Sequence, residues 1–207
     1  IGQIHGLSYA QYLAPGMIAT TALFTAFFEC SYGFYVRMTF ESVFKAMLTT
    51  PIGVREVVIG EFLWVFIRAA LMAMGVGLVL TVMGLMPNPF VLLLIPFIGG
   101  LLAVPCGAIG LLAASYVRNI NQFQTVYSFL IAPIFYLSGV FFPLGDRPLL
   151  EAIVQISPFH HGVRLLQACV WGQWDLGEIA YHIAALLTFA AGLGWLALVS
   201  VRKKLIS

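Results

Sequence analysis

The sequence predicts an all-α, polytopic helical membrane protein, and three observations carry that prediction. Of its 207 residues, 61% are hydrophobic and only 9% charged, against about 25% charged in ordinary soluble domains. The apolar residues fall in continuous runs near the ~20 residues that a helix needs to cross a bilayer. Those runs lack the apolar–polar alternation that a transmembrane β-barrel requires. A single membrane domain over residues 1–207, with five spans, follows from the chain taken in order.

Residues 1–8 are a short polar lead-in, and nothing in them resembles a cleaved signal peptide. The first span is predicted over 9–35, with Pro15 near its first turn, where a missing N–H costs little. A polar island follows. Within it, 37–50 carries Phe40, Val43, Phe44, Met47 and Leu48 at i, i+3, i+4, i+7 and i+8, the spacing of a helix with one apolar stripe. Glu41 precedes Lys45 by one turn, in the favourable order for an ion pair. Pro51 biases Thr50 away from helical geometry, so a break is expected near 49–51. About eleven residues of amphipathic helix suit a bilayer surface and are too few to span it. Such a helix can be a plain interfacial element gripping lipid, or a lever that passes force from a soluble partner into the membrane.

The second span is expected over 59–85, ending at the turn Pro87-Asn88-Pro89. The third, 90–116, carries Pro96, Pro105 and several glycines and should be kinked. After the polar turn Arg118-Asn119-Ile120-Asn121, a fourth span over 123–142 contains Pro133 and stops at Pro143. The mixed stretch 144–178 holds two short amphipathic helices, 148–156 and 159–170, broken at Ser157-Pro158. They read as a re-entrant pair, since non-helical backbone at membrane depth must be buried in protein. Trp171, Trp174 and Tyr181 suggest an aromatic belt beside them, and the last span, 179–201, ends in Arg202-Lys203-Lys204.

Five spans put the chain ends on opposite sides, and basic residues choose between the orientations. With the C-terminus inside, Arg37, Lys45, Arg55, Arg118, Arg202, Lys203 and Lys204 are cytoplasmic, Arg147 and Arg164 are external, and Arg68 lies within a span. The reverse orientation would invert a seven-to-two bias. The polar island is therefore expected in the cytoplasm and 144–178 outside.

Several residues inside the spans need partners. Glu29, Glu61 and Arg68 are ionisable, and such groups near mid-bilayer cost on the order of 2.5–3.5 kcal/mol on insertion scales. A translocation or proton path and simple structural pairing both fit them. Gly100, Ala103, Gly107, Gly110 and Ala114 form one stripe of small residues, which lets another helix approach closely, from this subunit or from a second one. His160 and His161 are adjacent and point to different sides of a helix, and no third ligand is spaced nearby, so no metal site is expected. Cys30, Cys106 and Cys169 form neither a metal spacing nor a disulfide framework. No G-x-x-x-x-G-K-[ST], G-x-S-x-G or H-E-x-x-H sequence occurs, so neither an ATP-phosphate cradle nor a catalytic residue is supported.

Three stretches resemble the membrane subunits of ABC exporters of the ABC-2 type, particularly the lipo-oligosaccharide (nodulation-factor) and daunorubicin-exporter branch. They are LAPGMIATTALFTAFFECSYGFYVRM at 13–38, TTPIGVREVVIGEFLW at 49–64 and SGVFFPL at 138–144. The resemblance runs from about residue 9 to the C-terminus. It implies six spans, with a cytoplasmic coupling helix after the second that docks on a separate ATPase subunit, and short external helices before the last. The N-terminal amphipathic helix and first span of that pattern are absent here, and a truncated start is the expectation. The resemblance further implies two copies of the permease and no cofactor bound by this chain, with ATP and Mg on the ATPase and no role for nucleic acid. The docking set would be Phe40, Glu41, Phe44, Lys45, Met47, Leu48 and Arg55. The exported substrate would be amphiphilic, a lipid-linked glycan or a hydrophobic drug. The rival class is an ATP-independent protein, either an ion-coupled carrier or a membrane enzyme on lipids. A carrier of that kind shows internal repeats with paired broken helices, and no such repeat is found. An enzyme shows acids or histidines clustered at one depth, and the eight acids here are scattered.

Overall fold

A computed structural model of the chain describes residues 7–86, 88–141, 153–172 and 174–206. The described residues form helices and connecting turns, with no strand element. Helix α1 (Tyr9–Phe28) runs through a π turn (Glu29–Gly33) into α2 (Phe34–Thr39), followed by the short α3 (Val43–Met47). Then come α4 (Val54–Val82), α5 (Ile95–Tyr116), α6 (Gln122–Val126) and, after a second π turn (Tyr127–Ile131), α7 (Ala132–Leu137). Helices α8 (Pro158–Trp171) and α9 (Leu176–Ile206) complete the chain. Among the described residues, four helices are long and apolar enough to cross a membrane: Tyr9–Thr39, Val54–Val82, Ile95–Tyr116 and Leu176–Leu205. The protein is an all-α, polytopic integral membrane protein.

Helix α5 lies at the centre, packed against α1, α4, α8 and α9. Its small-residue stripe explains why. Gly100, Ala103, Gly107, Gly110 and Ala114 are all buried, and their neighbours belong to this same chain. A Cβ on Gly107 would lie 3.0 Å from Cys30 Sγ, and one on Gly110 only 2.8 Å from the Phe27 carbonyl oxygen. Between helices in lipid, where burial from water supplies little, such close backbone approach provides the contact energy. The stripe is thus a seam within the subunit.

Four expectations are corrected. Ser8 caps α1 through a capping box, so Pro15 sits inside the helix and not in its first turn. The carbonyl that Pro15 cannot serve, on Gln11, instead accepts the Trp171 indole N–H at 3.4 Å. Trp171 also stacks on Tyr12 with ring centroids 5.4 Å apart, so it is a packing residue rather than part of a belt, while Trp174 and Tyr181 are exposed. Pro96 lies in the first turn of α5, where it starts the helix instead of kinking it. Within the fourth expected span, α6, the π turn and α7 run on as one continuous helix over Gln122–Leu137. Pro133 cannot donate to the Phe129 carbonyl, and the π turn precedes it directly. The amphipathic helix expected over 37–50 is cut down to α3, because the chain turns at Phe40–Ser42 with Ser42 at φ 54°. The end of the fourth expected span, residue 142, and the first external helix as far as residue 152 lie outside the described residues.

The bundle has two unlike ends. Arg37, Arg118 and Lys203 mark a basic end, and α8 lies at the other, between α1, α5 and α9. At 14 residues, α8 is too short to span.

Candidate functional site

The polar residues of α1 and α4 meet in one network near the basic end. Glu29 opens the π turn. Residues eight apart on an uninterrupted α-helix diverge by about 80° around its axis. The extra residue of the π turn removes that offset and returns Arg37 to the face of Glu29. On α4, Glu61, Trp64 and Arg68 follow at i, i+3 and i+7, a single face. Arg37 reaches Glu29 at 3.0 Å and Glu61 at 2.7 Å. Glu29 also pairs with Arg68 and accepts the Trp64 indole N–H at 3.1 Å. Two carboxylates and two guanidiniums therefore balance, each within hydrogen-bond reach of its opposite. The structure thus unites Glu29, Glu61 and Arg68, as their cost in lipid demands. Arg37 and Trp64 were missed as members. Trp64 was legible from its spacing between Glu61 and Arg68, whereas Arg37 was hidden by the register shift.

Five residues beyond Glu29, at Phe34, comes the anchor of the polar loop. Phe34 and Phe44 stack with centroids 4.6 Å apart, and Phe44 is only 2% exposed. As a surface anchor for a partner, Phe44 is therefore corrected: its ring is used up holding α3 to the bundle. Phe40 is 67% exposed and Met47 is exposed as well. Glu41 and Arg55 are also exposed, and Leu48 is half-buried. The side chain of Lys45 lies outside the described residues. Leu48, Val54 and Arg55 face Trp195 and Arg202 of α9 across a cleft of ≈ 630 Å³. The loop thus has an outer side open to contact and an inner side joined, through Phe34 and Arg37, to the long helices.

The family comparison bears directly on a helical bundle carrying such a loop. The model of the ABC-2 type transporter family matches residues 2–171. The chain belongs to the ABC-2 type transporter family. It is similar to nodulation protein J of Rhizobium leguminosarum bv. trifolii, with 28% identity over 100% of this chain and 78% of that protein. Nodulation protein J of Rhizobium meliloti (strain 1021) is 26% identical over 99% of this chain and 78% of its own length. The inner membrane transport permease YadH of Escherichia coli (strain K12) is 26% identical over 78% of this chain and 66% of its own. No solved structure matches. The chain is accordingly the membrane subunit of an ABC transporter, a permease.

At its other end the permease buries three histidines. The Gln155 carbonyl can only accept, so His161 Nε2, 2.9 Å away, carries the hydrogen. Neutral His161 then offers a bare Nδ1 to the Nδ1 of His182 at 2.8 Å, and His182 must donate. The far nitrogen of His182 faces Glu178 at 3.6 Å, and Arg164 reaches the same carboxylate oxygen at 3.3 Å. His160 donates from Nδ1 to the Ser138 carbonyl at 3.3 Å. Burial, with His161, Arg164 and His182 acting the same way, pushes His160 down to about 4, so it is neutral at pH 7. Burial also lowers His161. Among the described residues no group of three or more ligand-type side chains could hold a metal ion, and the His161–His182 hydrogen bond joins α8 to α9.

Proposed function

We propose that the permease is the membrane half of an ATP-driven exporter, working as two copies with a separate ATPase subunit that holds ATP and Mg. The observation that carries this reading is the two-sided loop. Phe40, Glu41, Met47 and Arg55 are open to a partner. Behind them, the Phe34–Phe44 stack and Arg37 tie the loop to α1 and α4. A partner that moves this loop moves two spans with it, in a hinge or shear motion. The basic end is cytoplasmic in this reading, as the excess of Lys and Arg there favours, and the membrane is the bacterial inner membrane. The single permease domain keeps residues 144–178 outside.

The substrate is amphiphilic, a lipid-linked glycan or a hydrophobic drug, and crosses between the two copies. An exposed aromatic face supports that choice: Phe28 and Tyr32 on the α1 side, Phe129 and Tyr136 on the α6–α7 side. Rings bearing hydroxyls can contact apolar chains and sugar faces alike. The charge-balanced network between Arg37 and Glu61 speaks for a mechanical clamp over an ion-coupled carrier.

The test is co-purification of the ATPase with loop variants. Helix or loop anchors in a groove commonly contribute 2 kcal/mol or more, roughly thirtyfold in affinity. Phe40→Ala and, separately, Glu41→Arg should leave expression and membrane insertion intact while the ATPase is lost from the pull-down and export stops. Full ATPase recovery with both variants would return the loop to a plain interfacial role.

A further inference from the structure

We infer that the cleft between the start of α4 and the last turns of α9 holds one anionic glycerophospholipid, with its phosphate on Arg55 and Arg202. The site goes beyond the proposed export function and does not depend on it, although Arg55 also stands on the open side of the loop. The cleft encloses ≈ 630 Å³ and has two kinds of wall. Arg55 and Arg202, both exposed, supply two guanidiniums. Leu48, Val54, Trp195 and Leu198 supply apolar surface. The ion pairs of the described residues include neither arginine. Glu56, the acid among the described lining residues, is turned to the first turn of its own helix. Its carboxylate folds back on Gly53, where an added Cβ would lie 2.6 Å from Oε2. Two guanidiniums and one carboxylate leave the cleft a single positive charge, which the single negative charge of a phosphodiester balances.

Depth favours a lipid over a protein as the occupant. Trp195 lies seven residues before Arg202 on α9, about 10 Å along the axis, in a helix apolar enough to cross the membrane. The hydrocarbon of one leaflet is ~15 Å thick, half of a ~30 Å core. With Arg202 at the interface, the Trp195 end of the cleft stands among acyl chains, and its ring is 65% exposed. A phosphate joined to acyl chains matches both walls at once. An acidic segment of a soluble partner, arriving from water, would meet the two arginines and leave Trp195 and Leu198 uncovered. A zwitterionic headgroup brings its own cation against the guanidiniums, so the cleft selects an anionic one.

The experiment is native mass spectrometry of the full permease, purified in mild detergent without the ATPase and exposed to phosphatidylglycerol or phosphatidylcholine. The wild type should retain phosphatidylglycerol in preference to phosphatidylcholine. The double variant Arg55→Gln/Arg202→Gln should retain it roughly thirtyfold less. Arg118→Gln/Lys203→Gln, which removes the same charge at the same end of the bundle, should retain it. Arg202→Gln alone should also weaken retention, and because it lies off the loop it separates lipid binding from any docking role of Arg55. Val199→Trp, which fills the cleft, should lose the lipid. All four charged positions are exposed, so the two charge-removed variants test the site even if Val199→Trp fails to fold. Equal retention of the two lipids by the wild type, or equal loss in both double variants, would overturn the site. So would undiminished lipid on a folded Val199→Trp protein, or displacement of phosphatidylglycerol by excess inorganic phosphate, since the apolar wall would then be unused.

Discussion

Arg37→Met should be among the most damaging single substitutions in the permease. It removes the partner of Glu61 and one of the two cations on Glu29. A carboxylate stripped of its cation in a water-poor setting typically costs 3–5 kcal/mol. The Arg37 side chain is 26% exposed and that of Glu61 11%, so screening trims the cost to about 3 kcal/mol. At a few degrees per kcal/mol, the detergent-solubilised protein should melt roughly 5–10 °C lower. The decisive companion is Arg37→Met/Glu61→Gln. Removing the stranded acid together with its cation should recover most of the loss, because the two positions act on one pair. A melting curve unchanged in the single variant, or no recovery in the double one, would contradict the clamp between α2 and α4.

Gly110→Leu should do comparable harm by a steric route. A Cβ at Gly110 meets the Phe27 carbonyl oxygen at 2.8 Å and the Ser31 amide nitrogen at 3.1 Å. These are backbone atoms of α1 and its π turn, which cannot rotate aside as a side chain could. Overpacking typically costs 1–3 kcal/mol, and the upper end is expected where backbone must move. The displaced segment also contains Glu29, so the charged network is disturbed at the same stroke. Thermal stability and size-exclusion behaviour should both deteriorate. Gly75→Leu is the control, because a Cβ at Gly75 meets nothing within 4 Å. Equal melting temperatures for the two variants would mean that the α1–α5 seam is not as close as described.

What the sequence made legible follows the strength of each physical signal. The long apolar runs identified α1, α4, α5 and α9 because length and hydropathy are nearly sufficient in lipid. The small-residue stripe was visible as a helical seam, but periodicity cannot say which helix fills it. That was decided by Phe27, Cys30 and Phe66, which lie far from it in the chain. Glu29, Glu61 and Arg68 were readable as ionisable groups needing partners. Arg37 was not, because a π turn shifts register without any residue-level signature. The amphipathic pattern of the polar island was real, yet one apolar stripe was read as one surface. The structure divides it, sending Phe44 inward to Phe34 while Phe40 stays exposed. Trp171 was misjudged for a similar reason: its partner, the Gln11 carbonyl, is an acceptor released by Pro15 from 160 residues away in the chain.

The central claim is that the loop from Phe40 to Arg55 is where an ATPase drives this permease. A single cysteine tests it most directly: Glu41→Cys in a protein whose Cys30, Cys106 and Cys169 have been replaced. It is treated in membranes with a short bifunctional thiol reagent, with and without ATP. The account predicts a covalent adduct between Glu41→Cys and an ATPase subunit, with a yield that changes when ATP is added. Phe90→Cys, exposed at the opposite end of the bundle, should give none. An adduct at Phe90→Cys and none at Glu41→Cys would contradict both the orientation and the coupling role of the loop.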